Sequence, residues 1–233
     1  MLKINNLCKT YANGKVGVKN LSLSIKAGDI CAFIGPNGSG KTTTIRCIVG
    51  TLDFNDGEIL IDNKSVKNNA LDCKKITAYI PDNPDIYVNL TGNEYLNFIA
   101  SVYRISSTER DQAIQYYADQ WGLTNDLGLP IKSYSHGMRQ KLVLIAAFMR
   151  KPKLLVLDEP FVGLDPQASF TLKNIMNDFV KNGGAIFYST HVLEVAEKLC
   201  NKVVMIKNGE VIKQGTMQEI KADKSLEEVF LNA

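Results

Sequence analysis

The chain has 233 residues, 45% of them hydrophobic and 22% charged, which suits one substantial globular core and excludes a disordered or fibrous chain. Its 27 Lys and Arg against 24 Asp and Glu leave a net charge of +3, spread along the chain without a basic cluster, and so predict no nucleic-acid partner. The five scattered cysteines have no C-x-x-C spacing, and the longest apolar run, Leu142 to Met149, is eight residues. That argues against a thiolate metal site, and a membrane-spanning helix needs about 20 apolar residues. The N-terminus shows no signal-peptide pattern, so the expectation is a protein of a reducing cytoplasm.

In chain order, the alternation of LSLSI (Leu21, Leu23, Ile25) predicts a half-buried strand. DICAFIG is a continuous apolar run leading into glycines, as a buried parallel strand reads. KTTTIRCIVG predicts a helix closed by Gly50, and GEILID and ITAYI predict further strands. From about Asn83 to Lys151 helical signals dominate. Thr91 with Glu94, and Ser106 with Glu109, read as capping boxes, and MRQKLVLIAAFMRK as a helix stopped by Pro152. KLLVLD is then a strand, Asp165 and Pro166 the N-cap and first residue of a helix, and AIFYST another strand. VLEVAEKLC predicts a helix, VVMIK-NG-EVIKQG a hairpin with type I′ turn chemistry, and SLEEVFLNA a short polar helix. The layout is an α/β core interrupted by a helical lobe.

The stretch Gly35-Pro36-Asn37-Gly38-Ser39-Gly40-Lys41-Thr42 fits G-x-x-x-x-G-K-[ST] between a predicted strand and helix, the context of a phosphate-binding P-loop. Backbone N–H groups would cradle phosphates, Lys41 would neutralise the β and γ phosphates, and the Thr42 hydroxyl would bind Mg²⁺. A metal held that way needs a carboxylate, and Asp158 at the end of LLVLD supplies one. Adjacent residues at a strand end diverge, so Glu159 can face the attacking water as its base or polarising group. His191 closes FYSTH where another strand runs out, on the edge where parallel sheets bind nucleotides.

A second anion site is legible at SYSHGMRQK: Ser135 reads as an N-cap, and Gly137 would let a phosphate approach the free N–H groups of the next helix. His136 between them is assigned no chemistry. Lying in the helical lobe, this site need not serve the same nucleotide within one chain. A head-to-tail pair of chains could use both elements twice.

With GPNGSGKTT, YSHGMRQ in the place of an LSGGQ signature, LLVLDEP, GLDP and STH in order over nearly the whole chain, the sequence resembles the nucleotide-binding subunit of an ABC transporter. The resemblance implies a P-loop NTPase core with an inserted helical subdomain and an antiparallel β segment. One domain would span residues 1–233, with 1–83 and 152–233 as the catalytic core and 84–151 as the helical subdomain. It implies catalytic roles for Lys41, Glu159 and His191. ATP would be bound by Tyr11 stacking on adenine, by Gly35 through Thr43, and across a dimer by Ser135 and Gly137, with Asp165 linking the two sites. Mg²⁺ would be held by Thr42, Asp158 and Asp82.

The implied protein is an ATPase at the cytoplasmic face of the membrane that powers separate membrane-spanning subunits, as a homodimer or heterodimer, and is most similar to export-type members. Two positions depart from the family pattern. Met138 replaces the usual glutamine after the signature glycine, and Asp82 in YIPD stands where the family has glutamine, putting conventional metal coupling in question. The competing classes are a soluble ABC ATPase acting on ribosomes or DNA, and a regulatory module that binds nucleotide without hydrolysing it. A single cassette without a long heptad run disfavours the first, and Glu159 with His191 the second. A GTPase is disfavoured because no N-K-x-D occurs.

Overall fold

A computed structural model describes residues 1–232; Ala233, the last residue of the SLEEVFLNA segment, lies outside them. The chain runs β1 (Leu2–Thr10), β2 (Val16–Ile25), β3 (Ile30–Ile34), α1 (Lys41–Ile48), β4 (Asp56–Ile61), β5 (Lys64–Ser65), α2 (Ala70–Ile76) and β6 (Thr77–Ile80). Three helices follow: α3 (Gly92–Val102), α4 (Ser107–Gln120) and α5 (His136–Met149). The rest is β7 (Leu154–Asp158), α6 (Pro166–Lys181), β8 (Ala185–Thr190), α7 (Leu193–Leu199), β9 (Lys202–Lys207), β10 (Glu210–Thr216), α8 (Met217–Lys221) and α9 (Leu226–Leu231).

Two sheets organise these elements. A six-stranded sheet has the order β10-β9-β3-β8-β7-β6, all neighbours parallel except the β9–β10 hairpin, and a four-stranded antiparallel sheet has the order β2-β1-β4-β5. The short apolar runs of the larger sheet follow from burial on both faces. In β3, Ile30, Ala32 and Ile34 join one apolar cluster while Cys31 and Phe33 join the other, and β7 divides Leu155 and Leu157 from Leu154 and Val156 in the same way. One cluster packs the sheet against α3–α7; the other packs α1 between it and the antiparallel sheet. Helix α5 is buried along Leu142–Met149, so the apolar contacts of α3–α5 run without a break into those of the sheet.

Local chemistry sets the ends. Thr91 and Glu94 form the full reciprocal box at α3. At α4 only half the expected box forms: Ser106 Oγ accepts from the Glu109 N–H at 3.3 Å, while the Glu109 carboxylate turns to the Ser106 hydroxyl. The hairpin turn has Asn208 at φ 52° and Gly209 at φ 82°, the two left-handed residues of a type I′ turn. Helix α9 is amphipathic rather than simply polar, because Leu226 and Val229, three apart, are buried while Glu227 and Glu228 face solvent. Its first N–H, on Leu226, donates to the Glu197 carboxylate of α7 at 2.9 Å. Among the described residues no helix is long and apolar enough to cross a membrane.

Candidate functional site

The carboxyl ends of β3, β7, β8 and β6 open on one edge of the parallel sheet, where such sheets bind ligands. After β3 the chain turns through residues 35–40 into α1, whose N-cap is Gly40 with no side-chain cap and no acidic residue in the first turn. Its leading N–H groups are therefore free for an anion. Gly40 is at φ 110°, and a Cβ there would stand 2.4 Å from the Gly17 carbonyl, so only glycine closes this loop. Lys41 Nζ donates to the carbonyls of Gly35 at 2.6 Å and Pro36 at 3.1 Å, lying along the loop. Burial lowers its pKa, and the Glu159 and Asp158 charges oppose that shift.

These residues line a cleft of about 430 Å³ whose wall includes Asn37, Gly38, Thr42, Thr43, Asp82, Asp158, Glu159 and, on the outer side, Tyr11. The Tyr11 hydroxyl and Thr43 Oγ1 are hydrogen-bonded at 2.8 Å, which ties the N-terminal loop to α1. Ser39 is buried, with an Oγ that has no partner in the chain.

Asp158 and Glu159 diverge. Asp158 ends β7 opposite Ser189 of β8, and the Ser189 hydroxyl donates to its Oδ1. Burial pushes the Asp158 carboxyl up, the Ser189 hydroxyl opposes, the Asp82 carboxylate pushes further up, and Lys41 and the Thr42 hydroxyl pull back. Two carboxylates crowded beside a hydroxyl in a half-buried cleft form a hard oxygen donor set. That set fits Mg²⁺, which keeps several waters and takes one or two carboxylates with substrate phosphates. Glu159 leaves the sheet with φ 48°; its Oε1 meets His191 Nδ1 at 2.7 Å and its Oε2 accepts from the Thr190 hydroxyl at 3.1 Å. His191 borders a neighbouring cleft with Gly35, Pro36, Asn37, Asp82 and Glu159.

Ser135 and Gly137 stand apart from this group, at the head of α5. Ser135 is the N-cap, with its Oγ accepting from the Met138 N–H at 3.2 Å, and the first turn carries no acidic residue. Met138 packs against the main apolar cluster. A Cβ on Gly137 would come within 2.6 Å of the Gly163 carbonyl, so the loop between β7 and α6 lies directly on the head of α5. The His136 ring rests against Gly163 on the other side. Asp165 caps α6 by accepting from the Ala168 N–H at 2.7 Å and pairs with Lys141 of α5. Those two contacts hold its carboxyl below the usual carboxylate range.

Ser189, Thr190, Gln140 and Lys141 complete these arrangements; they lie inside STH and SYSHGMRQK, in which the sequence assigns them no role. Gln140 is fully buried in α5 and donates to the Pro160 carbonyl at 3.4 Å. Flanked by Arg139 and Lys141, it carries no signal in the sequence that marks it as buried. Ser189 and Thr190 read as ordinary strand residues, and only the β7–β8 register brings them to the carboxylates.

Residues 18–162 match the sequence profile of the family described as ABC transporter. The chain is 38% identical over 221 residues to the uncharacterized ABC transporter ATP-binding protein YxlF of Bacillus subtilis, covering 95% of this chain and 72% of that one. It is 34% identical over 212 residues to the SkfA peptide export ATP-binding protein SkfE of the same organism, covering 91% and 87%. A solved structure described as the ATP-binding subunit of an ABC transporter superposes with a TM-score of 0.95 at 32% identity, over 100% of this chain and 98% of that one. The phosphate loop and acidic pair that frame the cleft, and the helix-capping serine that stands apart from it, thus sit in a fold and a sequence that agree, and the chain belongs to the ABC transporter family of ATP-binding, ATP-hydrolysing proteins.

Proposed function

We propose that the chain is the ATP-hydrolysing subunit of a transporter and works as a head-to-tail pair. Ser135 and Gly137 of each copy would close on the nucleotide held by residues 35–43 of the other. One observation carries this reading: neither Ser135 nor Gly137 lines the clefts around Lys41 and His191, so the two candidate anion sites of one chain do not meet. A two-fold, isologous pair, in which each contact occurs twice, satisfies both.

In each composite site the loop N–H groups and Lys41 hold the phosphates, and Tyr11 stacks on the adenine. Thr42, Asp158 and Asp82 are the residues that would hold Mg²⁺, which when bound offsets phosphate charge. Glu159 accepts a proton from water as the water oxygen bonds to the γ-phosphorus. The bond to the bridging oxygen breaks, and ADP leaves with its electron pair. His191, hydrogen-bonded to Glu159, faces the γ-phosphate. Asp165 links the sites, and Asp82 stands at the joint between a core of residues 1–83 with 152–233 and a lobe of residues 84–151.

The pair, of identical or related chains, sits peripherally at the cytoplasmic face of the membrane and drives integral membrane subunits. The likeness to a peptide-export ATP-binding protein supports export as the direction. The test is Glu159→Gln with ATP and Mg²⁺, followed by turnover and by size-exclusion chromatography. Turnover falls by about 10² to 10⁴, the range of acid–base catalysis, and unhydrolysed ATP holds two chains together. A monomer at saturating ATP with turnover near wild type overturns the reading.

A further inference from the structure

We infer that Thr190 is a positioning residue for ATP hydrolysis: its hydroxyl fixes the Glu159 carboxylate in the orientation from which it polarises water. The inference rests on the role of Glu159 proposed above. It begins with strand register. Because Asp158 lies opposite Ser189 across β7 and β8, the two acidic residues at the end of one strand meet two hydroxyl residues at the end of the next. Ser189 takes Asp158, and Thr190 takes Glu159.

The Thr190 hydroxyl has one proton to give. Its oxygen accepts from the Val192 N–H at 3.0 Å, which leaves the O–H for Glu159 Oε2 at 3.1 Å. A β-branched side chain is stiff about χ1, and Thr190 is 1% exposed, so its Oγ1 is held in place beside the Glu159 carboxylate. Burial pushes the neighbouring Tyr188 phenol up while the Thr190 hydroxyl beside it pulls back; of the two acceptors near that hydroxyl, the Glu159 carboxylate makes the stronger, charge-assisted bond.

Glu159 needs such a tether. Its φ of 48° takes it out of the sheet, so regular strand geometry does not aim its side chain. Two groups aim it instead. His191 holds Oε1, but its side chain is 65% exposed; Thr190 holds Oε2 from inside the core. Thr190 is the rigid member of the pair. Each carboxylate oxygen keeps a further lone pair, so both tethers leave Glu159 able to accept from water.

The experiment uses the full chain and measures steady-state kcat and KM for ATP, with single turnovers for the slow variants. Thr190→Val, which keeps the shape and removes the O–H, lowers kcat about tenfold with KM within about twofold, equivalent to about 1.4 kcal/mol in barrier. Thr190→Ser restores kcat to within about threefold of wild type. In a Glu159→Gln background Thr190→Val adds no further loss, since the group it positions has already lost its function. Should Thr190→Val fail to fold, Thr190→Ala carries the same comparison.

Full kcat in Thr190→Val while Glu159→Gln is impaired overturns the role of Thr190 and leaves that of Glu159 standing. An equal fractional loss in both backgrounds overturns it too, as does Thr190→Ser being as slow as Thr190→Val. Wild-type turnover in Glu159→Gln removes the role of Glu159 itself, and the inference with it.

Discussion

Lys141, in the second turn of α5, and Asp165, at the head of α6, form an ion pair of 3.0 Å. Asp165 has two tasks there, since its other oxygen caps α6 through the Ala168 N–H. The tasks separate by substitution. Asp165→Asn keeps a good cap and loses the charge, and costs under about 1 kcal/mol, the worth of a partly exposed pair. Asp165→Ala loses both and costs about 1–2 kcal/mol. Urea unfolding of the three proteins measures the order, and equal losses would show the cap to be inert. Because the Asp165 pKa is lowered in the folded chain, the charge-dependent part is complete above the unfolded value near 3.9 and disappears as pH falls through the lower folded value.

A mixing experiment tests the composite sites. With Lys41→Ala on one chain and Ser135→Ala on the other, both lesions fall in one site and the second stays intact. With both changes on the same chain, each site carries one lesion. A forced heterodimer of the first kind should therefore retain ATP-dependent closure at one site, and the second kind should retain none. Identical loss in the two arrangements would count against sites shared between chains.

Asp82 stands where it adds negative charge beside Asp158. At 4 Å and an effective dielectric of 20, two like charges repel by about 4 kcal/mol, so a carboxylate here favours a cation and disfavours the γ-phosphate. Asp82→Gln should change turnover of the isolated chain by less than about tenfold, or 1.4 kcal/mol, and weaken the dependence of nucleotide binding on Mg²⁺. Turnover measured against Mg²⁺ concentration decides it. Abolished hydrolysis would make Asp82 a dedicated catalytic carboxylate.

Arg150, at the C-terminal end of α5, donates from Nη2 to the carbonyls of Lys74 at 2.9 Å and Thr77 at 2.8 Å. Its guanidinium lies 3.5 Å from the centroid of the Tyr103 ring. Planar shape and two directed donors make this contact, so Arg150→Lys should not rescue it. Both Arg150→Lys and Arg150→Met should lose about 2–3 kcal/mol, the worth of charge-assisted hydrogen bonds with a cation–π contact. A shifted urea midpoint at constant slope is the expected signature, and a lysine variant as stable as wild type would refute the directed-donor account.

Legibility in the sequence followed the range of each interaction. The phosphate loop, the Thr91 box and the Asn208-Gly209 turn are local and could be read directly. Strand β1 was missed because Asn5-Asn6 breaks its alternation, where the pairing with β2 and β4 shifts register and Asn6 takes φ 49°. Helix α2, of seven residues, is too short to show a period. The tethers on Glu159 could not be read at all. They join residues 31 and 32 apart, and depend on β7 and β8 lying side by side.

The burial of α5 gives it mechanical properties. Its 14 residues make a rod about 21 Å long at 1.5 Å per residue, pinned to the core by Arg150 at one end and carrying Ser135 at the other. A tilt of about 10° about the pinned end swings the serine end through roughly 4 Å along that length, more than the full span of a hydrogen bond. The loop bearing Asp165 grips the moving end through Gln140, Lys141 and Gly137, so it must travel with the swing or resist it. Displacement from any such tilt would be least beside Arg150 and greatest at Ser135. The pinned point and the serine thus stand at opposite ends of a single helix.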